Sequence, residues 1–350
     1  MVDTFQLSQF SRCLIVAPSW VGDMVMAQSL FKALKTQNPE LTIDVLAPAW
    51  CSALTDYMPE VSQLIEAPFI HGALGIAERI KLAKQLQGKY DVAFVLPNSF
   101  KSALVPWMAK IAVRVGFVGE QRYGLLNQRH KLDKRLLPLM VQRFVALAYP
   151  KAAPPVKKET LPLPRLVVKQ QHLQSIMALH SLHLTNGQEV LVLCPGAEFG
   201  AAKQWPVAHY AEVANNFLDQ GWQVWLFGSQ KDQSACEEIN VATKKACMNL
   251  AGKTTLSEAI ALMSAASLVV SNDSGLMHVA AALHKKLIAV YGSTDPGFTP
   301  PLNQHAKVER IAIECSPCFK RECPLEHLDC LVKLHPSQVL KSAELLMAVE

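Results

Sequence analysis

The sequence is notable first for what it lacks. In its 350 residues no uninterrupted apolar run approaches the ~18 residues of a membrane-spanning helix, so no transmembrane segment is expected. Lys and Arg form no block interleaved with aromatics, and the formal net charge is only +5, which argues against nucleic acid as a partner. No Gly-x-Gly-x-x-Gly follows any apolar run, which argues against a dinucleotide-dependent oxidoreductase. Gly252-Lys253-Thr254 resembles the end of a phosphate-binding P-loop, but Cys247 stands where its first glycine belongs. Asp-x-Asp is absent, so a carboxylate pair holding a divalent ion on a diphosphate is not evident. No cofactor is therefore required, although assistance by a divalent ion stays open. Repeats of 20–50 residues and low-complexity tracts are also missing. Near the N-terminus, Arg12 and the run CLIVAP imitate a secretory leader, but the positive segment is thin and Asp23 interrupts the apolar stretch. The expected location is cytoplasmic.

Half of the residues are hydrophobic and 18% are charged, as in a well-buried globular chain too long for a single core. Apolar runs alternate with helical patterns. In the first half the runs are CLIVAP, TIDVLAP, VSQLIEAP, DVAFVLP and RVGFVG, with an amphipathic helix over 23–35 between the first two. A Pro- and Lys-rich stretch without periodicity, Tyr149 to Pro164, reads as a linker. Beyond it the runs are EVLVLCPG, QVWLFGS, CMNLAG, SLVVSND, KLIAVYG and VERIAIEC, separated by helical patterns over 206–219, 231–243, 256–265 and 274–283. A final helix follows His335, with Ser337 as its N-cap. Such alternation predicts an α/β protein of two doubly wound parallel sheets, 1–160 and 161–335, followed by a terminal segment, 336–350. Folds of this kind bind ligands at the carboxyl ends of their strands, which predicts a central cleft between the two domains.

Three stretches at such strand ends carry candidate chemistry. In Leu268–His284 a β-branched run ends in Ser271-Asn272-Asp273-Ser274-Gly275 and a helix begins. Free N–H groups and the positive dipole end there attract an anion, and Gly275 lets a phosphate approach the backbone. The alternative is an Asp or Ser N-cap beside a turn glycine. In Pro195–Pro206, Lys203 follows a glycine-containing loop and offers a point charge to a phosphate, or else to solvent. In Pro18–Met24, Asp23 is either a helix N-cap or a general base. A helix N-terminus weakens a carboxylate as a base, so such a base would act late, once the attacking oxygen is already acidic.

Five of the nine cysteines (Cys13, Cys51, Cys194, Cys236, Cys247) sit in apolar contexts, as reduced core thiols do. The other four, Cys315, Cys318, Cys323 and Cys330, crowd into sixteen residues with His327. Zinc deserves consideration, but only one Cys-x-x-Cys pair is present where zinc sites usually have two, so reduced or redox-labile thiols stay ahead of a metal.

Taken together, SWVGDM, APAWC, PNSFKSALVP, RYGLLN, CPGAEFG with KQWP, and NDSGLMHVAAAL resemble the ADP-heptose:lipopolysaccharide heptosyltransferases of glycosyltransferase family 9 over nearly the whole chain. The resemblance implies a GT-B architecture, with the terminal helix packing back on the N-terminal domain. It also implies inverting transfer of L-glycero-D-manno-heptose from ADP-heptose to the first heptose of the lipid-linked lipopolysaccharide inner core, at the cytoplasmic face of the inner membrane. By the same resemblance Asp23 is the base, and Lys203, Glu198, Asp273, Ser274, Gly275 and His278 meet the donor. The ribose holder falls on a loop that offers Gln230 or Asp232. Lys101, Arg114, Arg122 and Arg129 are candidates for the acceptor's phosphates and carboxylates, with solvated surface cations as the alternative. Two rivals are another nucleotide-sugar enzyme of this architecture, either a UDP-sugar transferase or an epimerase, and a non-enzymatic two-lobed binding protein.

Overall fold

The computed structural model describes residues 6–69, 74–185 and 187–348. The chain divides into two compact units, Met1–Pro164 and Arg165–Glu350. The stretch expected as a linker is tied to the first unit: Gln142 Nε2 donates to Val156 O (2.7 Å) and Lys32 Nζ to Leu163 O (2.7 Å).

In the first unit six strands form one parallel sheet: β1 (Arg12–Val16), β2 (Thr42–Ala47), β3 (Val61–Glu66), β4 (Val92–Val95), β5 (Val113–Phe117) and β6 (Gln128–His130), in the order β3-β2-β1-β4-β5-β6. The helix α1 (Val21–Gln37) follows β1. Strands covered on both faces need continuous apolar runs, and β1 and β4 are buried along almost their whole length. Each such Val, Leu or Ile contributes about 1.5–3 kcal/mol by leaving water. One residue breaks the pattern. Asp44 in β2 is fully buried, and its Oδ2 accepts from Arg12 Nη2 (3.0 Å), Gln63 Nε2 (2.6 Å) and Tyr90 OH (2.7 Å).

The second unit repeats the design. Its strands are β7 (Val190–Cys194), β8 (Gln223–Leu226), β9 (Met248–Asn249), β10 (Leu268–Asn272), β11 (Lys286–Val290) and β12 (Ala306–Glu309), ordered β12-β11-β10-β7-β8-β9. Counted from its own first strand, this is the same 3-2-1-4-5-6 order. In both sheets the strand order therefore reverses between the first and fourth strands, β1/β4 and β7/β10, and that switch point is where such sheets bind ligands. The two Rossmann-like halves of the GT-B pairing are thus both present.

Helices α2 (Val207–Asp219) and α3 (Gly275–Ala282) follow β7 and β10, and α4 (Pro336–Met347) is the last. Two expectations are corrected here. The terminal helix was expected on the N-terminal domain, but Val339 and Ala343 join the core of the second unit, and α4 lies on α2, β11 and β12. Its N-cap is His335 and not Ser337, because Pro336, lacking an N–H, takes the first helical position. The expected end of this segment at 349–350 lies outside the described residues. The last strand stops at Glu309; Ile311 and Ile313 still pack on the core, but outside the ladder.

Candidate functional site

At the second unit's switch point, buried polar bonds hold two loops together. Asn272, at the end of β10, is fully buried: its Nδ2 donates to Pro195 O (2.5 Å), and its Oδ1 accepts from Trp205 N (3.1 Å) and Tyr210 OH (2.9 Å). It fixes the loop after β7 against the turn after β10. On that loop Lys203 ends a single 3-10 turn, Ala201–Lys203, and its Nζ donates to Asp273 Oδ2 (2.6 Å) and Asp273 O (3.3 Å). Asp273 Oδ2 also accepts from Thr294 Oγ1 (2.5 Å). Side-chain exposures of 13% and 4% make Lys203–Asp273 a largely desolvated pair, in which each charge needs the other.

Ser274 is the N-cap of α3, with extended backbone and no side-chain capping bond; its hydroxyl meets Ser271 Oγ at 3.3 Å instead. The first-turn N–H groups are thereby left to a ligand, beginning at Gly275. His278, in the first turn of α3, is buried. Burial pushes its pKa down to about 4; the Asp273 carboxylate opposes this and the Lys203 ammonium adds to it. His278 is thus neutral at pH 7 and able to donate one hydrogen bond.

Phe199 lies beneath two cations, with Lys203 Nζ 5.0 Å and Arg321 Cζ 5.5 Å from its ring centroid. Glu198 is exposed and paired with Lys231 (2.5 Å). Of the two ribose candidates, Asp232 is engaged locally. It accepts from Ser229 N and Oγ (both 2.8 Å), and its carboxylate occupies the space where a Cβ on Gly196 would stand. Gln230 is exposed and donates to Gln233. The Gly252-Lys253-Thr254 stretch forms a turn in which Lys253 Nζ donates to Asn249 O (2.9 Å).

In the first unit Asp23 is the third residue of α1, whose N-cap is Trp20, so the N-cap alternative for Asp23 does not hold. It is half-buried in the first turn after β1. Lys101 lies in the loop after β4, on the 3-10 turn Phe100–Ala103, and is partly exposed. Arg122 requires a correction. Expected to meet the acceptor, it is buried, and it donates to Pro97 O (2.7 Å), Ser102 Oγ (3.1 Å), Asn98 Oδ1 (2.6 Å) and Phe117 O (2.6 Å). Burial pushes its pKa down to about 10, so it stays charged at pH 7 and organises the loop that carries Lys101. Arg114 is similarly engaged with Leu125 O (2.7 Å) and Ile111 O (2.5 Å). Arg129 is exposed. Four exposed aromatics stand on loops at the carboxyl edge of the same sheet: Trp20, Trp50, Phe100 and Tyr123.

The four clustered cysteines are free thiols. Among the described residues no set of three His, Cys, Asp or Glu side chains stands at metal-holding geometry. Sequence reasoning missed Asn272, Thr294, Phe199 and Arg321. A buried Asn at the end of an apolar strand was the one available signal.

The model of glycosyltransferase family 9 (heptosyltransferase) matches residues 79–329, which include Lys203, Asp273 and His278. The chain belongs to this family. The family member is 46% identical over 346 residues to lipopolysaccharide heptosyltransferase 2 of Escherichia coli (strain K12), covering 97% of this chain and 99% of that one. It is 47% identical over 306 residues to lipooligosaccharide heptosyltransferase 2 of Haemophilus influenzae, covering 85% and 88%. Among solved structures, E. coli ADP-heptose lps heptosyltransferase II superposes with a TM-score of 0.86 at 44% identity, covering 96% of this chain and 98% of that one. The family-9 chain is therefore a glycosyltransferase, which sets aside the non-enzymatic two-lobed binding protein.

Proposed function

We propose that this glycosyltransferase moves L-glycero-D-manno-heptose from ADP-heptose onto the first heptose of the lipopolysaccharide inner core, with inversion at the anomeric carbon. The observation that carries the donor half is the desolvated Lys203–Asp273 pair at an uncapped helix start, with His278 a buried, neutral imidazole beside it. Together these offer one positive charge, several N–H donors and a neutral ring donor within one switch point, the set that a diphosphate requires. Lys203 and the amides at Ser274 and Gly275 meet the charge that builds on the β-phosphate as the glycosidic bond breaks. Asp273 keeps Lys203 in place, and His278 donates to a phosphate or sugar oxygen. Gln230 takes a ribose hydroxyl, since Asp232 holds its own loop, and Glu198 joins the donor contacts.

Asp23 accepts the proton of the acceptor hydroxyl as its oxygen attacks the anomeric carbon, and ADP departs with the bonding pair. A late transfer suits a carboxylate that the start of α1 stabilises. The acceptor's anionic groups meet Lys101 and Arg129, and its sugars stack on exposed aromatics of the loops after β1, β2, β4 and β5. Contact with the lipid-linked acceptor is peripheral, at the cytoplasmic face of the inner membrane; among the described residues no helix is long and apolar enough to cross a membrane. Mass spectrometry of a truncated core acceptor incubated with ADP-heptose tests the reading: a mass gain of one heptose supports it. No gain with ADP-heptose, together with a gain from a UDP-sugar, would replace it with the other nucleotide-sugar activity.

A further inference from the structure

The segment between β12 and α4 is hydrogen-bonded to both loops that hold Asp273. Ala202 N donates to Arg321 O (3.0 Å), Phe319 N to Ser293 O (2.7 Å) and Ser316 Oγ to Gly292 O (2.7 Å). Ala202 precedes Lys203, and Ser293 precedes Thr294, the two residues that bond the Asp273 carboxylate. The approach is closest at Gly200, where an added Cβ would stand 2.3 Å from Arg321 O and 2.9 Å from Arg321 Cα. A side chain is excluded there twice over, since the φ of 153° is one that residues with a Cβ rarely adopt.

The backbone of Arg321 is thus fixed on the loop that carries Lys203. Its guanidinium carbon lies 5.5 Å from the centroid of the Phe199 ring, and Lys203 Nζ lies 5.0 Å from the same centroid. Two cations are therefore gathered around one ring. A ring takes up charge but leaves the in-plane N–H donors of a guanidinium to other acceptors. Arg321 is exposed, so a ligand can reach it.

Charge balance points to the ligand. The Lys203 ammonium is matched by the Asp273 carboxylate at 2.6 Å, and the pair is neutral as a whole. His278 is neutral at pH 7, and Lys231 is paired with Glu198. A nucleoside diphosphate gains a negative charge when the bond to its sugar breaks, and that charge calls for a further cation. We propose that Arg321 is a further catalytic residue, whose guanidinium binds the donor's diphosphate beside Lys203 and meets the charge that develops on the departing nucleotide. The proposal rests on the reading of this switch point as the donor site. The bonding pair of the anomeric C–O bond goes to the β-phosphate oxygen, and Arg321 neither gives nor takes a proton. Two parallel N–H donors match two phosphate oxygens, which an ammonium cannot do.

The test uses the full chain, titrated with ADP and with adenosine and assayed with ADP-heptose and a truncated core acceptor. Arg321→Gln should weaken ADP binding about ten-fold and lower kcat about ten- to a hundred-fold, while adenosine affinity and Tm stay unchanged. The carbonyl that accepts from Ala202 N survives this substitution, so the loop keeps its backbone tie. Arg321→Lys should recover part of the loss, as the charge returns without the fork. Lys320→Gln removes the same charge one position away and should change neither binding nor turnover. Arg321→Gln behaving as the unaltered chain overturns the proposal. So does an equal loss of ADP and adenosine affinity, which would mark loop packing, or an equal loss in Lys320→Gln, which would mark net charge alone. Should the unaltered chain bind no ADP, or Lys203→Ala bind it undiminished, the donor reading itself falls and the role of Arg321 falls with it.

Discussion

The two units share a strand order and differ in what they place at the switch point. In the second unit the carboxyl edge is closely bonded: Lys203 and Thr294 bond the Asp273 carboxylate, Asn272 ties the loop after β7, and His278 stands buried beside them. In the first, the corresponding loops raise exposed aromatics and partly exposed cations over a frame held by the buried Arg122. A preorganised, low-dielectric donor end suits charge that develops during reaction. An exposed, adaptable edge suits recognition of a large, variable acceptor. On the proposed reading one fold performs two jobs, and the division lies in the burial of the polar groups rather than in the topology.

That contrast can be broken in several places. The largest effect is expected at Asp23: Asp23→Asn should cut kcat by about 10²–10⁴ while ADP affinity is nearly kept. Unchanged turnover would remove the proton acceptor from the first unit. Next, Lys203→Ala should cost about 10²–10³ in kcat/KM and weaken ADP binding. Its counterpart Lys101→Ala should raise only the acceptor KM, and equal effects on both substrates would erase the distinction between the two edges.

Acid sharpens the contrast in a different way. His278 titrates near 4 in the folded state against an ordinary 6.5, so the unfolded chain binds more protons between those values. The stability that follows is complete above about pH 6.5 and is lost as pH falls toward 4, by on the order of 3 kcal/mol. Urea unfolding of the chain and of His278→Gln across that window should differ in slope; parallel curves would contradict a buried neutral ring. Arg122→Ala should cost about 2–4 kcal/mol of stability, because carbonyls of the 97–99 loop lose their buried donors. Little unfolding shift with a large rise in acceptor KM would return Arg122 to the ligand. The smallest effect belongs to Glu198→Ala, whose exposed pair with Lys231 is worth at most about 1 kcal/mol in a melting experiment.

Legibility in the sequence followed the range of the forces. β1, β4, β7, β10 and β11 were readable because strands buried on both faces must be continuous apolar runs. Edge strand β6, spelled Gln-Arg-His, carries no such run and was not anticipated. The turn at Asp273–Gly275 was visible from the switch between two periodicities, and so were Asp23 and Lys203 at the ends of their strands. Arg122 misled because a cation in a polar loop reads the same whether it faces solvent or four carbonyl and side-chain oxygens. Ser337 misled because Pro336 moved the cap one step earlier than the hydroxyl suggested.

By itself the order of residues determined two wound parallel sheets and the strand ends at which chemistry collects, since hydrophobic period and turn residues act over a few positions. Only the folded structure decided which charges are spent on structure: Arg122 inside its loop, Asp232 on its own turn, the last helix on the second unit. Burial depends on partners tens to hundreds of residues away, and the cost of stripping water from a charge is set by those partners, not by its neighbours in the chain.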